Sequence, residues 1–177
     1  MRVVKALDAG PTFGFTHRAI GPDETSSEVE HDLARLGAPL LLETVDRLAL
    51  GEAREEPQDD ASATYAPRIT KDDSSIDWSR PARELHNQVR GLHPWPHAQS
   101  YVDGKRLIVL RSSVMPDLAD APPGSIVLAK GDDLAVATGT GALKILTLQL
   151  EGRKPMTARE FLAGHPLPSG RRLTSGP

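Results

Sequence analysis

The first fifty residues begin with short apolar runs and continue with a helical repeat. MRVVKAL and TFGFTHRAI (residues 1–7 and 12–20) each favour a β-strand, and DAGP between them favours a turn. The following apolar positions recur at helical spacing, and Gly37 divides them into two predicted helices, the second of which ends at Gly51. Two strands and two helices do not close a core, so we expect residues 1–62 to belong to a larger unit and to fold poorly alone.

A charged stretch without periodicity separates this region from the rest of the chain. EAREEPQDDASATYAPRITKDD follows Gly51 and predicts a linker. After it, SRPARELHNQVRGL predicts a short helix whose apolar stripe consists of Leu85, Val89 and Leu92. We therefore expect three segments, at residues 1–62, 63–76 (the linker) and 77–177.

The last of these regions contains five apolar segments whose residue patterns are typical of β-strands. They are AQSYV, RLIVLRSSV, GSIVLAK, LAVATG and ALKILTLQLE. Asp103-Gly104 and Thr140-Gly141 favour hairpin turns between them. ATGTGALK lacks the Lys-Ser/Thr pair and the following helix of a phosphate-binding loop, so a turn is the better interpretation. The pattern predicts a small antiparallel barrel or sandwich, then a helix at TAREFLAG and a mobile tail, HPLPSGRRLTSGP.

Composition narrows the class of protein. The chain has no cysteine, which excludes disulfides and thiolate metal ligands and fits a reducing compartment. No apolar run approaches the roughly 18–20 residues that span a bilayer, so we expect a soluble, cytoplasmic protein.

The net charge of −3 is unevenly distributed. Residues 1–80 contain 9 basic and 16 acidic residues, which gives −7, and residues 81–177 contain 12 and 8, which gives +4. A basic half is typical of a part that meets a polyanion, although ordinary surface variation gives the same figure. Seven basic residues on or beside the predicted strands could face a phosphate backbone or only solvent: Lys105, Arg106, Arg111, Lys130, Lys144, Arg153 and Lys154.

Two further features raise the question of catalytic or metal chemistry. His93 and His97 are four residues apart, but two prolines between them exclude a helix and no third ligand is near, so no metal site is predicted. Asp8 lies in a predicted turn, where it could bond nearby backbone amides or act in catalysis.

The motifs of the second half follow one another in a specific order. YAPRIT, IDW, a short helix, HPWP and LQLEGRKPMTA span about residues 64–162, and the series closely resembles the C-terminal domain of bacterial methionyl-tRNA formyltransferases. VVKALDAGPTF is similar to the GLDTGDM loop of the same family. The resemblance implies an α+β fold: a remnant of a Rossmann-like formyltransferase domain, a linker, and an OB-like antiparallel β-barrel.

The resemblance also implies roles for individual residues. Asp8 matches the family's catalytic aspartate, with Leu7 and Gly10 beside it as co-substrate-binding positions, although Ala9-Gly10-Pro11 stands where the family has Thr-Gly-Asp. Trp95 is expected to be an apolar anchor of the HPWP corner, with stacking on a base as the alternative. The residues expected to bind tRNA are Lys105, Arg106, Arg111, Lys130, Arg153 and Lys154.

The implied reaction transfers a formyl group from 10-formyltetrahydrofolate to the amino group of initiator methionyl-tRNA, without a metal. The family uses an Asn, a His and an Asp, and only the aspartate has a counterpart in this sequence. We expect the other two upstream of Met1 and predict that this chain alone is inactive. A monomer without DNA or membrane partners is expected. Two alternatives stay open: a non-catalytic, OB-like RNA-binding module, and a fragment of a sugar-nucleotide formyltransferase.

Overall fold

The structure is a computed structural model that describes residues 1–118, 121–168 and 170–176. The chain forms two compact units. One contains residues 1–22 and 27–68, and the other contains residues 23–26 and 69–177. Among the described residues, no helix is long and apolar enough to cross a membrane.

The two strands predicted near the N-terminus are wrong. Residues 1–25 contain no strand, and the only β-type pairing found there is a single bridge between Thr12 and Glu56, whose backbone N–H groups each donate to the partner's carbonyl over 2.9 Å. A strand exists only when a neighbour satisfies its backbone groups. The described part of this unit supplies no such neighbour, so the β-forming sequence stays irregular.

A single helix replaces the two that were predicted after these segments. The helix α1 covers Ser26–Ala49 without a break at Gly37 and contains Pro39. Gly37 keeps an ordinary helical backbone, whereas Gly51 has a φ of +74°. At that end the Glu52 N–H donates to the Arg47 carbonyl over 2.8 Å, the pattern of a glycine-terminated helix. The predicted stop at Gly37 is therefore wrong and the stop at Gly51 is confirmed.

The second unit is built on one antiparallel sheet with helices against it. Its elements are the helix α2 (Ala82–Gly91), the strands β1 (Ala98–Val102), β2 (Lys105–Met115), β3 (Ile126–Lys130), β4 (Asp133–Ala137), β5 (Ala142–Leu150) and β6 (Met156–Thr157), and the helix α3 (Ala158–Gly164). The strand order is β1-β2-β5-β4-β3, and β6 pairs with β5. A short 3₁₀ helix lies at Lys71–Ser74 in this unit, and another, at Asp60–Ser62, belongs to the first unit. All five predicted strands are confirmed, and β6 was missed.

Hairpin turns set the register of this sheet. Asp103 and Gly104 have φ values of 52° and 71°, which allow a two-residue turn between β1 and β2. Thr140-Gly141 connects β4 to β5, with Gly141 at a φ of 76°. A capping box begins α3, the helix predicted at TAREFLAG, since Thr157 and Glu160 bond each other's backbone N–H groups.

The hydrophobic core of this unit joins the sheet to both helices. The predicted stripe of α2 is confirmed, because Leu85, Val89 and Leu92 are all buried. Trp78 of the IDW motif is 4% exposed and donates its indole N–H to Ser100 Oγ over 3.0 Å. A buried indole N–H group requires a hydrogen-bond acceptor. Ser100 supplies that acceptor and so allows Trp78 of the IDW motif to be buried.

The C-terminal tail is not the mobile segment that its composition suggested. The Thr174 and Tyr101 backbones exchange hydrogen bonds of 3.0 and 2.9 Å, while Leu173 N–H donates to Gly124 O over 2.8 Å. Leu173 is 4% exposed and belongs to the core. The tail thus bonds to β1 at one end of the strand order and to the segment preceding β3 at the other. Ser169 and Pro177 lie outside the described residues.

Candidate nucleic-acid interface

Four of the predicted tRNA-binding residues lie at the same end of the β2–β5 ladder. Lys105 and Arg106 begin β2, and Arg153 and Lys154 follow β5. The Glu151 N–H donates to the Arg106 carbonyl over 2.9 Å, which brings the two strand ends together. All four side chains belong to exposed residues. We call this group, Lys105, Arg106, Arg153 and Lys154, the basic end.

Two turns hold the basic end in place. The Asp103-Gly104 turn brings Lys105 directly opposite Val102. After β5, Gly152 has a φ of 71°, the Arg153 N–H donates to the Leu150 carbonyl over 2.9 Å, and Gln149 Nε2 donates to the Arg153 carbonyl over 2.8 Å. Hydrogen bonds already order the backbone from which these charged side chains project. Binding a phosphate would therefore cost only the conformational entropy of the side chains.

Arg171 of the tail joins the same end of the sheet. Its guanidinium forms an ion pair with Asp103 in the β1–β2 turn. Arg171 is not among the residues that the sequence predicts to bind tRNA, because the tail is expected to be mobile. The signal in the sequence was the Arg171-Arg172 pair followed by Leu173, a basic pair next to an apolar residue that enters the core.

Lys130 and Lys144 lie elsewhere, and a carboxylate compensates the charge of Lys144. Lys144 is six residues before Leu150 on β5, roughly 20 Å along the strand. Its Nζ donates to Asp133 Oδ1 over 2.6 Å, and Lys130 is opposite Asp133 in the β3–β4 register. In the same turn the hydrogen bond from Arg159 lowers the pKa of Asp132 below its usual range. This region therefore offers less uncompensated positive charge than the basic end.

Arg111 lies between these two regions, at an irregular point of β2. The register shifts on both sides of Arg111, which is paired with Thr147, and the residue is half-buried. A β-bulge of this kind re-aims a side chain relative to its neighbours on the strand. The structure therefore separates Arg111 from the basic end.

The predicted catalytic loop belongs to the other unit. Asp8 is exposed with a φ of 51°, Leu7 is 91% exposed, and Gly10 is buried. Gln58 Nε2 donates to the Asp8 and Gly10 carbonyls over 2.8 and 2.7 Å, so one amide side chain holds the loop. A Cβ on Gly10 would lie 1.8 Å from the Arg2 carbonyl oxygen, which explains why glycine occupies this position.

The HPWP corner differs from its expected role. Trp95 is 53% exposed, so it does not anchor the corner in the core; the buried tryptophan is Trp78. The His93-Pro94 and Trp95-Pro96 peptide bonds are both cis. The His93 and His97 rings contact each other edge to face with centroids 5.4 Å apart. Burial and the neighbouring His93 lower the pKa of His97.

A Ser–His–Asp chain in the second unit was not predicted from sequence. His86 Nδ1 lies 3.0 Å from Ser112 Oγ, and His86 Nε2 lies 3.2 Å from Asp23 Oδ1. Ser112 is 5% exposed and His86 is 2% exposed, so no substrate reaches the hydroxyl. The His86–Ser112 pair is a buried polar contact between α2 and β2, whereas the side chain of Asp23 is exposed. In the described residues, no three His, Asp or Glu side chains are grouped to hold a metal ion.

Comparison with models of known protein families identifies the family of this chain. The model described as "Formyl transferase, C-terminal domain" matches residues 68–166, more than half of the chain. The chain belongs to this family. The basic end and the IDW and HPWP motifs all lie within the matched range of the formyl transferase C-terminal domain.

Relatives within this formyltransferase group cover almost the whole chain. The methionyl-tRNA formyltransferase of Citrifermentans bemidjiense is 46% identical over 94% of this chain and 52% of its own length. That of Sorangium cellulosum is 40% identical over 98% of this chain and 56% of its own. The chain therefore spans about half the length of the curated relatives it matches.

Solved structures with low sequence identity to this chain share its fold. HypX from Aquifex aeolicus superposes with a TM-score of 0.69 and 16% identity, covering 92% of this chain and 29% of its own. An N-formyltransferase from Helicobacter canadensis, with folinic acid and dTDP-3-aminofucose, has a TM-score of 0.62 and 14% identity, covering 81% of this chain and 52% of its own. These matches concern the fold alone.

Proposed function

We propose that the chain provides the tRNA-binding part of a methionyl-tRNA formyltransferase. The observation that carries this proposal is the 40–46% identity to methionyl-tRNA formyltransferases over 94–98% of the chain. The substrate is initiator methionyl-tRNA in the cytoplasm, and the formyl donor is 10-formyltetrahydrofolate. The use of a folate is supported by the structure of HypX from Aquifex aeolicus in complex with tetrahydrofolic acid. We infer further that the sheet is an OB-like barrel, supported by the tail that bonds to β1 and next to β3.

The reaction is the attack of the methionyl α-amino group on the formyl carbon. A C–N bond forms to the amine, the bond from the formyl carbon to the folate nitrogen breaks, and the proton lost by the amine passes to that nitrogen. Asp8 is the proposed group that accepts and returns this proton, since a carboxylate can move a proton when it is within hydrogen-bond reach of it. Leu7 and Gly10 would border the donor beside Asp8.

The tRNA-binding step is assigned to the basic end. Cations neutralise phosphates and release condensed counterions, so the logarithm of the affinity falls linearly with the logarithm of the salt concentration. Four exposed cations at two ordered strand ends suit a phosphate backbone better than the β3–β4 turn, where Asp133 already pairs with Lys144 and Asp132 with Arg159. Of the six residues expected to bind tRNA we therefore keep Lys105, Arg106, Arg153 and Lys154 as the principal ones.

The test is the salt dependence of tRNA binding by the full chain. Replacing Lys105 and Arg153 with alanine should weaken binding and reduce the salt slope by about 0.7–0.9 for each phosphate that is no longer neutralised. Arg159→Ala is the matched control, because Arg159 is exposed, basic and already paired with Asp132. An unchanged slope in the double variant, or an equal weakening in the control, would refute the assignment.

We also expect the 177-residue polypeptide to lack formyltransferase activity by itself, because only Asp8 of the implied catalytic trio is matched. The assay is formylation of methionyl-tRNA by the purified chain with 10-formyltetrahydrofolate. Turnover above the uncatalysed rate, abolished by Asp8→Asn, would show that the expectation is wrong.

A further inference from the structure

Tyr101 lies on the outward face of β1, close to the basic end. Burial alternates along this strand, and its core-facing residues are Ala98, Ser100 and Val102. Successive side chains of a strand point to opposite faces, so Tyr101 faces away from the core, where it is half-buried. Among the described residues, its hydroxyl has no hydrogen-bond partner and its ring has no stacking or cation–π partner. This aromatic side chain is therefore able to bind a partner.

Strand pairing places Tyr101 beside one cation of the basic end. Tyr101 is directly opposite Arg106 in the β1–β2 ladder, and such residues project from the same face with Cβ atoms about 4.5–5.5 Å apart. The half-buried Ile108 is the diagonal neighbour, within reach of an aromatic ring. The Glu151 carboxylate lies 3.5 Å from the Arg106 backbone nitrogen, and no carboxylate in the described part of the chain pairs with the guanidinium. An aromatic ring, an apolar side chain and an uncompensated cation thus share one face.

The tail orders the backbone on the other side of Tyr101. Because the Thr174 and Tyr101 backbones exchange two hydrogen bonds, Tyr101 is the middle residue of three paired segments. Thr174 lies on one side of it and Arg106 on the other, each about one strand spacing of 4.8 Å away. A tyrosine on an ordered backbone loses the freedom of only two side-chain torsions when it stacks on a ligand. Stacking on Tyr101 therefore costs little conformational entropy.

We propose that Tyr101 stacks on an unpaired base of the tRNA whose phosphates contact the basic end. Proteins recognise RNA mainly at the unpaired bases of loops and ends, which stack on aromatic side chains. A basic surface that holds the phosphates and an aromatic ring that stacks on a base are the two parts of a single-strand binding site. Tyr101 and Arg106 supply both parts within one strand spacing. This inference rests on the proposed tRNA-binding function and adds a base contact to its phosphate contacts.

The first test measures the affinity of the full chain for initiator tRNA over a series of salt concentrations. Tyr101→Leu should weaken binding about 5–150-fold, the contribution of one stacked base, while Tyr101→Phe keeps the ring and should bind like the parent. Because a stack releases no counterions, Tyr101→Leu should keep the salt slope of the parent, unlike the Lys105 and Arg153 double variant. Leu146→Ala is the matched control, because Leu146 is an exposed residue of β5 outside the basic end. Circular dichroism checks the fold, and Tyr101→Thr, which suits a strand, replaces the leucine variant if that variant does not fold.

The second test compares a single-stranded RNA with an RNA duplex of the same length, because only the single strand offers unpaired bases. The ratio of the single-strand affinity to the duplex affinity should fall in Tyr101→Leu, since only the single strand loses a stacking contact. Parent-like tRNA binding by Tyr101→Leu, an equal weakening by Leu146→Ala, or an unchanged ratio would each overturn the stacking contact and leave the phosphate contacts in place. An absence of tRNA binding by the parent chain would overturn both the stacking contact and the proposed function.

Discussion

Gly139 offers a sharp test of how the second unit is held together. It lies in the turn between β4 and β5, against the chain that leads into α2. A Cβ at this position would lie 1.8 Å from the Ser79 carbonyl oxygen and 2.7 Å from its carbon. Both are backbone atoms, so no flexible side chain can move aside. We therefore expect Gly139→Ala to force the two segments apart.

The size of the effect follows from the hydrogen bonds that join the two segments and from the crowding. The Gly139 N–H donates to the Arg80 carbonyl and the Ala82 N–H donates to the Thr140 carbonyl, each over 3.0 Å. A backbone hydrogen bond contributes about 1 kcal/mol, and overpacking a filled site costs about 1–3 kcal/mol. Together they predict a decrease of about 3–5 kcal/mol in the free energy of unfolding.

The assay is urea unfolding followed by tryptophan fluorescence, since both tryptophans, Trp78 and Trp95, belong to this unit. Gly91→Ala is the control: Gly91 ends α2, and no atom would lie within 4 Å of its new Cβ. We expect this control to stay within about 1 kcal/mol of the parent. If Gly139→Ala also stayed within that limit, the close approach of the two segments would be wrong.

Two further predictions concern the same unit. Ser100→Ala removes the acceptor of the Trp78 indole N–H and a 2.8 Å hydrogen bond to the Thr174 carbonyl. Urea unfolding should therefore show a decrease of about 2–3 kcal/mol in the free energy of unfolding. A decrease below about 0.5 kcal/mol would contradict the role given to Ser100. Hydrogen bonds from the Thr157 backbone N–H and hydroxyl lower the pKa of Glu160. A carboxyl group whose pKa is lower in the folded state stabilises the protein above its unfolded-state pKa, and this stability is lost as pH falls through its folded-state pKa. The midpoint temperature of thermal unfolding should therefore decrease below about pH 4, and it should decrease less in Glu160→Gln.

The strands of the second unit could be predicted because their signals are local. AQSYV alternates between buried and half-buried positions over β1, and Asp103-Gly104 fixes the turn that follows. The N-terminal segments have a similar β-forming composition but no partner strands in the described residues. Their failure shows that strand formation depends on neighbours, which a single segment of sequence does not contain.

The candidate site was partly predictable for the same reason. Lys105, Arg106, Arg153 and Lys154 each follow a turn that was recognised, or a strand end, so their common location follows from strand pairing. The compensation of Lys144 by Asp133 depends on the pairing of two neighbouring strands, and the contribution of Arg171 depends on a contact between the tail and the β1–β2 turn, which is distant in sequence. The two tryptophans illustrate the limit: only tertiary packing decides that Trp78 is buried beside Ser100 and Trp95 is exposed.

The tail has a consequence for aggregation. An edge strand with unpaired N–H and C=O groups is a template for strand addition by another chain. Residues 171–174 bond to backbone groups of β1 and beside β3, the two strands at the ends of the strand order, and Leu173 lies in the core. Proteolytic removal of the tail would therefore expose both edges of the sheet at once and favour strand pairing between copies.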